Sequence, residues 1–200
     1  IEMAIIANAY GLRTHVPGMH GPPARHVQEV LQLFDFDTLW EDRHPVVDYI
    51  LGAEPGGGVF AIGHCNNHYQ RDMLRYYKMG NGPYYVFYRP YHLCHIEAMK
   101  SIIQAAQEKR PFLQPDFGMR TNVYAYAKRN LAAGQVLDGI GGFSCYGIIE
   151  NTNVNALETG VPIALAEHVT VMRPIRKGER INLCDVKVEA SRSDFELYRL

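Results

Sequence analysis

Arg89, His92, His95 and Glu97 fall within nine consecutive residues, and Lys78 stands shortly before them. A guanidinium can grip a phosphate or carboxylate with two parallel hydrogen bonds, an imidazole trades a proton near neutral pH, and a carboxylate or ammonium steadies the charges that result. Those residue types in one short stretch describe proton transfer on an anionic substrate. Lys78, His92, His95 and Glu97 are the candidate catalytic residues, set around a reacting hydroxyl or carbonyl. Arg89, Tyr88 and Tyr91 are candidates for the anionic end of the substrate. His20, on the loop Pro17–Pro23, is a further candidate for substrate binding. For any one of these residues the commoner role is structural, with Arg89 on a local carboxylate and the tyrosines half-buried. Their clustering is what favours function.

The elements that must position this group can be read from the stretch His68 to Glu97, HYQRDMLRYYKMGNGPYYVFYRPYHLCHIE. Tyr69, Met73, Tyr76 and Tyr77 recur at helical spacing, and Gly80 is a stop signal. Asn81-Gly82-Pro83 reads as a turn, and Tyr84 to Tyr88 as an aromatic strand. Pro90, followed by His92, Ile96, Met99 and Ile103, opens a second amphipathic helix that begins near Tyr91. Arg89 would then face a helix N-terminus, whose unpaired N–H groups attract anions. His92 in the first turn would have its cationic form disfavoured by the helix dipole, leaving a neutral imidazole for acid/base work.

Metal binding has faint support. His92, Cys94, His95 and Glu97, or His64, Cys65 and His68, offer ligand types, but no spacing matches a structural zinc pattern. A hard cation on Glu97 or Glu2 is the remaining arrangement, with solvated carboxylates the default reading. Whether a metal is bound, and by which residues, is therefore left unknown by the sequence.

Length and composition set the outer bounds. The 200 residues allow one sizeable domain or two small ones, and 47% apolar content supports a real core. A formal charge of −1 and the absence of basic runs argue against nucleic acid and acidic membrane surfaces as partners. Cys65, Cys94, Cys145 and Cys184 form no CxxC pair, and no apolar run has the length of a signal peptide or membrane span. A reducing cytoplasm fits this best.

Ile1 to Gly11 reads as the later part of a helix ended by Gly11, with neither initiator Met nor cap, so an upstream portion is expected. Val27, Val30, Leu31 and Phe34 mark a short helix. Val46–Leu51 and Val59–Gly63 read as two strands of one hairpin, joined across Glu54-Pro55-Gly56-Gly57-Gly58. Beyond Lys109 the composition turns to short β-like runs with glycine turns. Lys128–Leu137 aligns with Met172–Ile181 at an offset of 44 positions, each copy carrying an apolar residue, a Gly turn and a second short strand. Two such units packed together predict a compact all-β module. The fold expected is α/β (α+β) over residues 1–118, then an all-β domain over 119–190 and a C-terminal tail over 191–200.

AKRNLAAGQVLDGIGGF and IALAEHVTVMRPIRKGERINLCDVKV resemble the SAF domain, a β-clip fold. With IEMAIIANAYGL, GMHGP, VVDYILGAEPGGGVF, LRYYKMGNGPYYVFYRPYHLCHIEA and LDGIGGF, nearly the whole chain resembles the C-terminal part of SAF-domain NAD(P)-dependent oxidoreductases. These are homoserine-dehydrogenase-like proteins that include the deoxyxylulose-phosphate reductoisomerase-like enzyme of isoprenoid biosynthesis. The resemblance implies a Rossmann domain for the nicotinamide cofactor, a substrate-binding and homodimer-forming α/β region, and the SAF domain. The first is missing here, since Gly56-Gly57-Gly58 and Gly139–Gly142 lack the strand-loop-helix context of a dinucleotide cradle. NAD(P) is therefore expected on a domain outside this chain. The site residues rest on their chemistry, not on the resemblance. A reading of another class is a non-catalytic SAF/β-clip binding or assembly module, which the clustering over 68–97 disfavours.

Overall fold

The computed structural model describes residues 1–152 and 160–198. Positions 153–159, within the expected 119–190 domain, and 199–200, at the end of the expected tail, lie outside the described residues. The chain divides into two compact units that interleave along the sequence. One comprises Ile1–Met19, His44–Val47 and Pro115–Leu200; the other comprises His20–Arg43 and Asp48–Gln114. A cut at 118 would separate the first 19 residues from the unit they pack in. Among the described residues no helix is long and apolar enough to cross a membrane.

In the first unit, α1 (Glu2–Tyr10) ends at Gly11 in a left-handed conformation, as its glycine predicts. It buries the small side chains Ala4, Ala7 and Ala9, which permit close packing. Asn8 joins it to the sheet. The Asn8 amide oxygen accepts the N–H groups of Arg120 (2.8 Å) and Thr121 (2.9 Å), and its nitrogen donates to the Thr121 carbonyl at 3.1 Å. Across the strand pair, Asn151 does the same for Thr14, accepting its N–H and donating to its carbonyl, both at 2.8 Å. Two asparagines thus satisfy backbone groups that would otherwise be orphaned at this junction.

The β-strands of this unit are β3 (Thr121–Ala127), antiparallel to β4 (Cys145–Asn151), and the short pair β5 (Thr170–Val171) and β6 (Val186–Lys187). Val123, Ala125, Ala127, Leu131, Val161, Ile175 and Ile181 form its core with Ala4, Ala7 and Val47. The two copies of the repeat meet at equivalent residues. The Gly134 N–H donates to Val171 O (2.7 Å) and Gly178 N–H to Ala127 O (2.8 Å); Val171 N–H donates to Gln135 O (2.8 Å) and Ala127 N–H to Glu179 O (3.0 Å). Leu137 N–H to Val169 O and Ile181 N–H to Ala125 O, both 2.9 Å, complete a pseudo-two-fold set. The stretch 191–198 carries α6 (Ser193–Tyr198), whose Phe195 is buried in the same core.

The second unit is built on β1 (Val59–His64) and β2 (Tyr84–Arg89), paired antiparallel from Val59↔Arg89 to His64↔Tyr84. This corrects the expected hairpin. Segment 46–51 does not pair with β1; Pro23↔Leu51 and His26↔Glu54 are instead isolated parallel bridges. The aromatic β2 offers β1 better cross-strand partners, Phe60 against Tyr88 and Ile62 against Val86, and such side-chain pairs stabilise a ribbon. Two short helices, α2 (Val30–Leu33) and α3 (Phe36–Leu39), precede β1, with Asp35 capping α3 through the Thr38 N–H. Helix α4 (His68–Tyr76) joins the strands, capped by Asn67, and α5 (Cys94–Glu108) follows β2.

Helix α5 begins at Cys94, not near Tyr91, and Pro90–Leu93 is non-helical. No Ser, Thr, Asp or Asn lies between Arg89 and Cys94 to cap an earlier start. The observed start puts Glu97 in the first turn, where a carboxylate is favoured by the helix dipole.

Candidate functional site

All the candidate residues belong to the second unit, and all but His20 lie on the ribbon or its connections. Arg89 closes β2, and its guanidinium pairs with the Glu97 carboxylate in the first turn of α5. His92 lies on the Pro90–Leu93 link, with Nδ1 3.9 Å from the other Glu97 oxygen. One carboxylate therefore gathers a guanidinium and an imidazole at the strand-to-helix junction. His92 therefore stands just before the helix cap, not in the first turn where the spacing placed it. His95 is exposed in the first turn of α5, and Tyr91 is exposed on the link before it.

Two candidates stand apart from that group. Tyr88 donates its hydroxyl to the Pro55 carbonyl (3.1 Å), holding the chain before β1. Lys78 follows α4 in a left-handed conformation, exposed, and its N–H closes the helix on Arg75 O. It belongs to the connection from His64 to Tyr84, which leaves the ribbon at the end opposite Arg89.

At that opposite end, roughly 13 Å along the strand from Arg89 at ~3.3 Å per residue, α4 and the ribbon enclose a cleft of about 420 Å³. Gly63, His64, Cys65, Gln70, Met73, Tyr77, Tyr85 and Phe87 line it. It carries no Lys, Arg, Asp or Glu, so it suits a neutral group. The Tyr85 ring is buried and its hydroxyl has no hydrogen-bond partner. The His64 ring lies between those of Trp40 and Tyr84, tilted against both, with ring centroids 5.1 and 5.0 Å away. The Tyr84 hydroxyl donates to Asp37 (2.8 Å), and burial together with that carboxylate pushes its ionisation above the usual tyrosine range. Residue types alone do not reveal this cleft, although strand alternation places Tyr85 and Phe87 on one face.

His20 is brought against Asp48, a residue that spacing could not single out. The His20 Nδ1 lies 2.6 Å from Asp48 Oδ2.

Metal ligation finds no centre. Among the described residues no three His, Cys, Asp or Glu side chains gather as a metal site requires. Glu97 is engaged by Arg89, and the Cys65 thiol donates to Gln70 Oε1 at 3.5 Å. Gly56–Gly58 leads into β1 and Gly139–Gly142 precedes β4, so neither glycine run opens a helix that could cradle a pyrophosphate.

No curated protein matches the chain. Residues 1–98, which hold Arg89, Glu97, His92, His20 and the cleft, match the family model of the oxidoreductase DRL catalytic domain and so are similar to an oxidoreductase catalytic domain.

Proposed function

We propose that the chain supplies the substrate-binding and dimer-forming part of an NAD(P)-dependent oxidoreductase acting on a phosphorylated or acidic polyol or ketose. The observation that carries this reading is the likeness of residues 1–98 to an oxidoreductase catalytic domain, with Arg89, Glu97 and His92 gathered inside that stretch. A substrate anion would exchange for Glu97 on the Arg89 guanidinium, which binds phosphate and carboxylate with the same fork. That exchange would release Glu97 and His92 to accept or return a proton at the neighbouring substrate oxygen, with His95 in the same first turn of α5. The nicotinamide is assigned to a dinucleotide-binding domain outside residues 1–200. Homoserine-dehydrogenase-like and deoxyxylulose-phosphate reductoisomerase-like enzymes are the class proposed, with residues 119–190 as a SAF-type β-clip and the cytoplasm, where thiols stay reduced, as the compartment.

Self-association is part of the proposal. Ile96, Met99, Ile102 and Ile103 are each about half exposed or more along α5, a helix with no buried residue. An apolar stripe of that kind is covered in most folded proteins. Sedimentation equilibrium is expected to show a dimer that Ile103→Asp dissociates; a monomer at high concentration sinks this element.

The functional reading is tested with the enzyme joined to its cofactor domain, by following nicotinamide oxidation against a panel of phosphorylated and acidic ketoses. Turnover with an anionic ketose, and none with its neutral analogue, is the expected result. Failure of the whole panel would leave the chain as a binding or assembly module.

A further inference from the structure

One face of the β1–β2 ribbon runs from the α4 cleft to Arg89. The register sets Gly63, Ala61 and Val59 of β1 opposite Tyr85, Phe87 and Arg89 of β2, and strand alternation turns all six to the same side. At the cleft end this face is walled by Met73, Leu74 and Tyr77, and no Lys, Arg, Asp or Glu lines the cavity of about 420 Å³. At the other end stands the Arg89 guanidinium with its partner Glu97. The floor between them is apolar and open to solvent. Ala61 is exposed there, and Phe87 and Val59 are 48% and 43% exposed. The Phe87 ring leans over Gly63 towards the cleft, so close that a Cβ on Gly63 would come within 2.9 Å of it. Floor and cleft are thus one continuous apolar surface that ends at a cation.

We propose that the α4 cleft and the Ala61–Phe87 floor bind the apolar part of a substrate whose phosphate or carboxylate is held by Arg89. The substrate class is then an amphipathic anion, with hydrocarbon extending roughly 13 Å from the charged group along the strand. The inference rests on the reading of Arg89 as the anion end, and it adds what lies beyond that end: an apolar substituent on the acidic or phosphorylated ketose. Hydrocarbon laid on this surface leaves water, and the charge needs a partner only at its head. The uncharged lining of the cleft decides against a second anionic group there, since such a group would lose its hydration without a cation to replace it.

The experiment is titration calorimetry of the full chain with n-alkyl phosphates from ethyl to dodecyl, each kept below its micelle concentration. Affinity is expected to rise about two- to fourfold for each added methylene. It should level off near about ten carbons, where an extended chain of C–C bonds of ~1.5 Å has crossed the surface. Met73→Glu and Tyr77→Glu each set a carboxylate in the cleft wall, at positions 37% and 69% exposed, where the fold tolerates it. Each is expected to remove the gain of decyl over ethyl phosphate, while ethyl phosphate binds as before. Arg89→Ala should weaken the whole series alike, about ten- to a hundredfold. Affinity that ignores chain length, or a chain-length gain that survives both cleft variants, overturns the inference; if Arg89→Ala still weakens ethyl phosphate in that case, the proposed function stands. Long-chain binding that does not depend on Arg89 overturns both, as does a series in which no member binds.

Discussion

Leu131 and Ile175 exchange both of their backbone hydrogen bonds, the Leu131 N–H donating to Ile175 O at 2.8 Å and the Ile175 N–H to Leu131 O at 3.0 Å. They stand 44 positions apart and occupy the same place in the two copies of the internal repeat. The repeat is therefore a symmetry of the fold, with its axis passing between these two residues. Both side chains are almost fully buried, so the hydrogen-bonded centre is also an apolar one.

That symmetry predicts matched costs at Gly134 and Gly178. They have φ of +84° and +81°, and a Cβ at either would meet nothing within 4 Å. The penalty is then conformational alone, about 1–2 kcal/mol for an L residue held left-handed. Gly134→Ala and Gly178→Ala should each lower unfolding free energy by about that amount in denaturant melts. A large difference between the two would argue against equivalent turns.

Asn8→Ala should destabilise the first unit. The side chain satisfies the N–H groups of Arg120 and Thr121 and the carbonyl of Thr121, and Thr121 itself is buried. Leaving buried backbone groups unpaired costs about 1–3 kcal/mol each at the first loss. Asn8→Asp keeps the acceptor and should recover part of the loss; equal melting of the alanine and aspartate variants would contradict this account.

Asp138 predicts an acid limb. The Ser144 hydroxyl, then the N–H groups of Phe143 and Ser144, hold its carboxyl down to about 2. A carboxyl depressed on folding contributes stability above its unfolded value of about 4, and that contribution fades as pH falls towards about 2. The stability difference between the parent and Asp138→Asn should be level at neutral pH and shrink across that window. A difference unchanged down to pH of about 2 would refute the assignment.

The Arg89–Glu97 pair separates a structural from a functional role. Arg89 is 62% exposed, and exposed pairs contribute roughly 0–1 kcal/mol, so Arg89→Ala should barely move the melting temperature. In the assembled enzyme the same change should raise the dissociation constant of an anionic substrate about ten- to a hundredfold with cofactor affinity unchanged, since hydrogen bonds to charged groups are worth about 1.5–3 kcal/mol. Glu97→Gln, which releases the guanidinium, should tighten inorganic phosphate binding. A destabilised Arg89→Ala with normal affinity would assign Arg89 to the corner alone.

Local structure was legible wherever the signal is local. The glycine after Tyr10 stops α1, helical spacing from Tyr69 to Tyr76 marks α4, an aromatic and β-branched run marks β2, and an offset of 44 marks the repeat. These depend on φ preference and side-chain period, which a short window of residues expresses by itself. Strand partners were not legible, because the choice between segment 46–51 and β2 as neighbour to β1 depends on cross-strand packing of residues some 25 positions apart in the chain. The return of residues 1–19 to the β3–β4 unit depends on Asn8 and Asn151, which bond to segments more than 100 positions away. The candidate site divides the same way. The residue types at 89, 92 and 97 were visible in order along the chain, whereas Asp48 beneath His20 and the α4 cleft exist only once distant segments meet, since a carboxylate has no partner until the fold brings its donors to it.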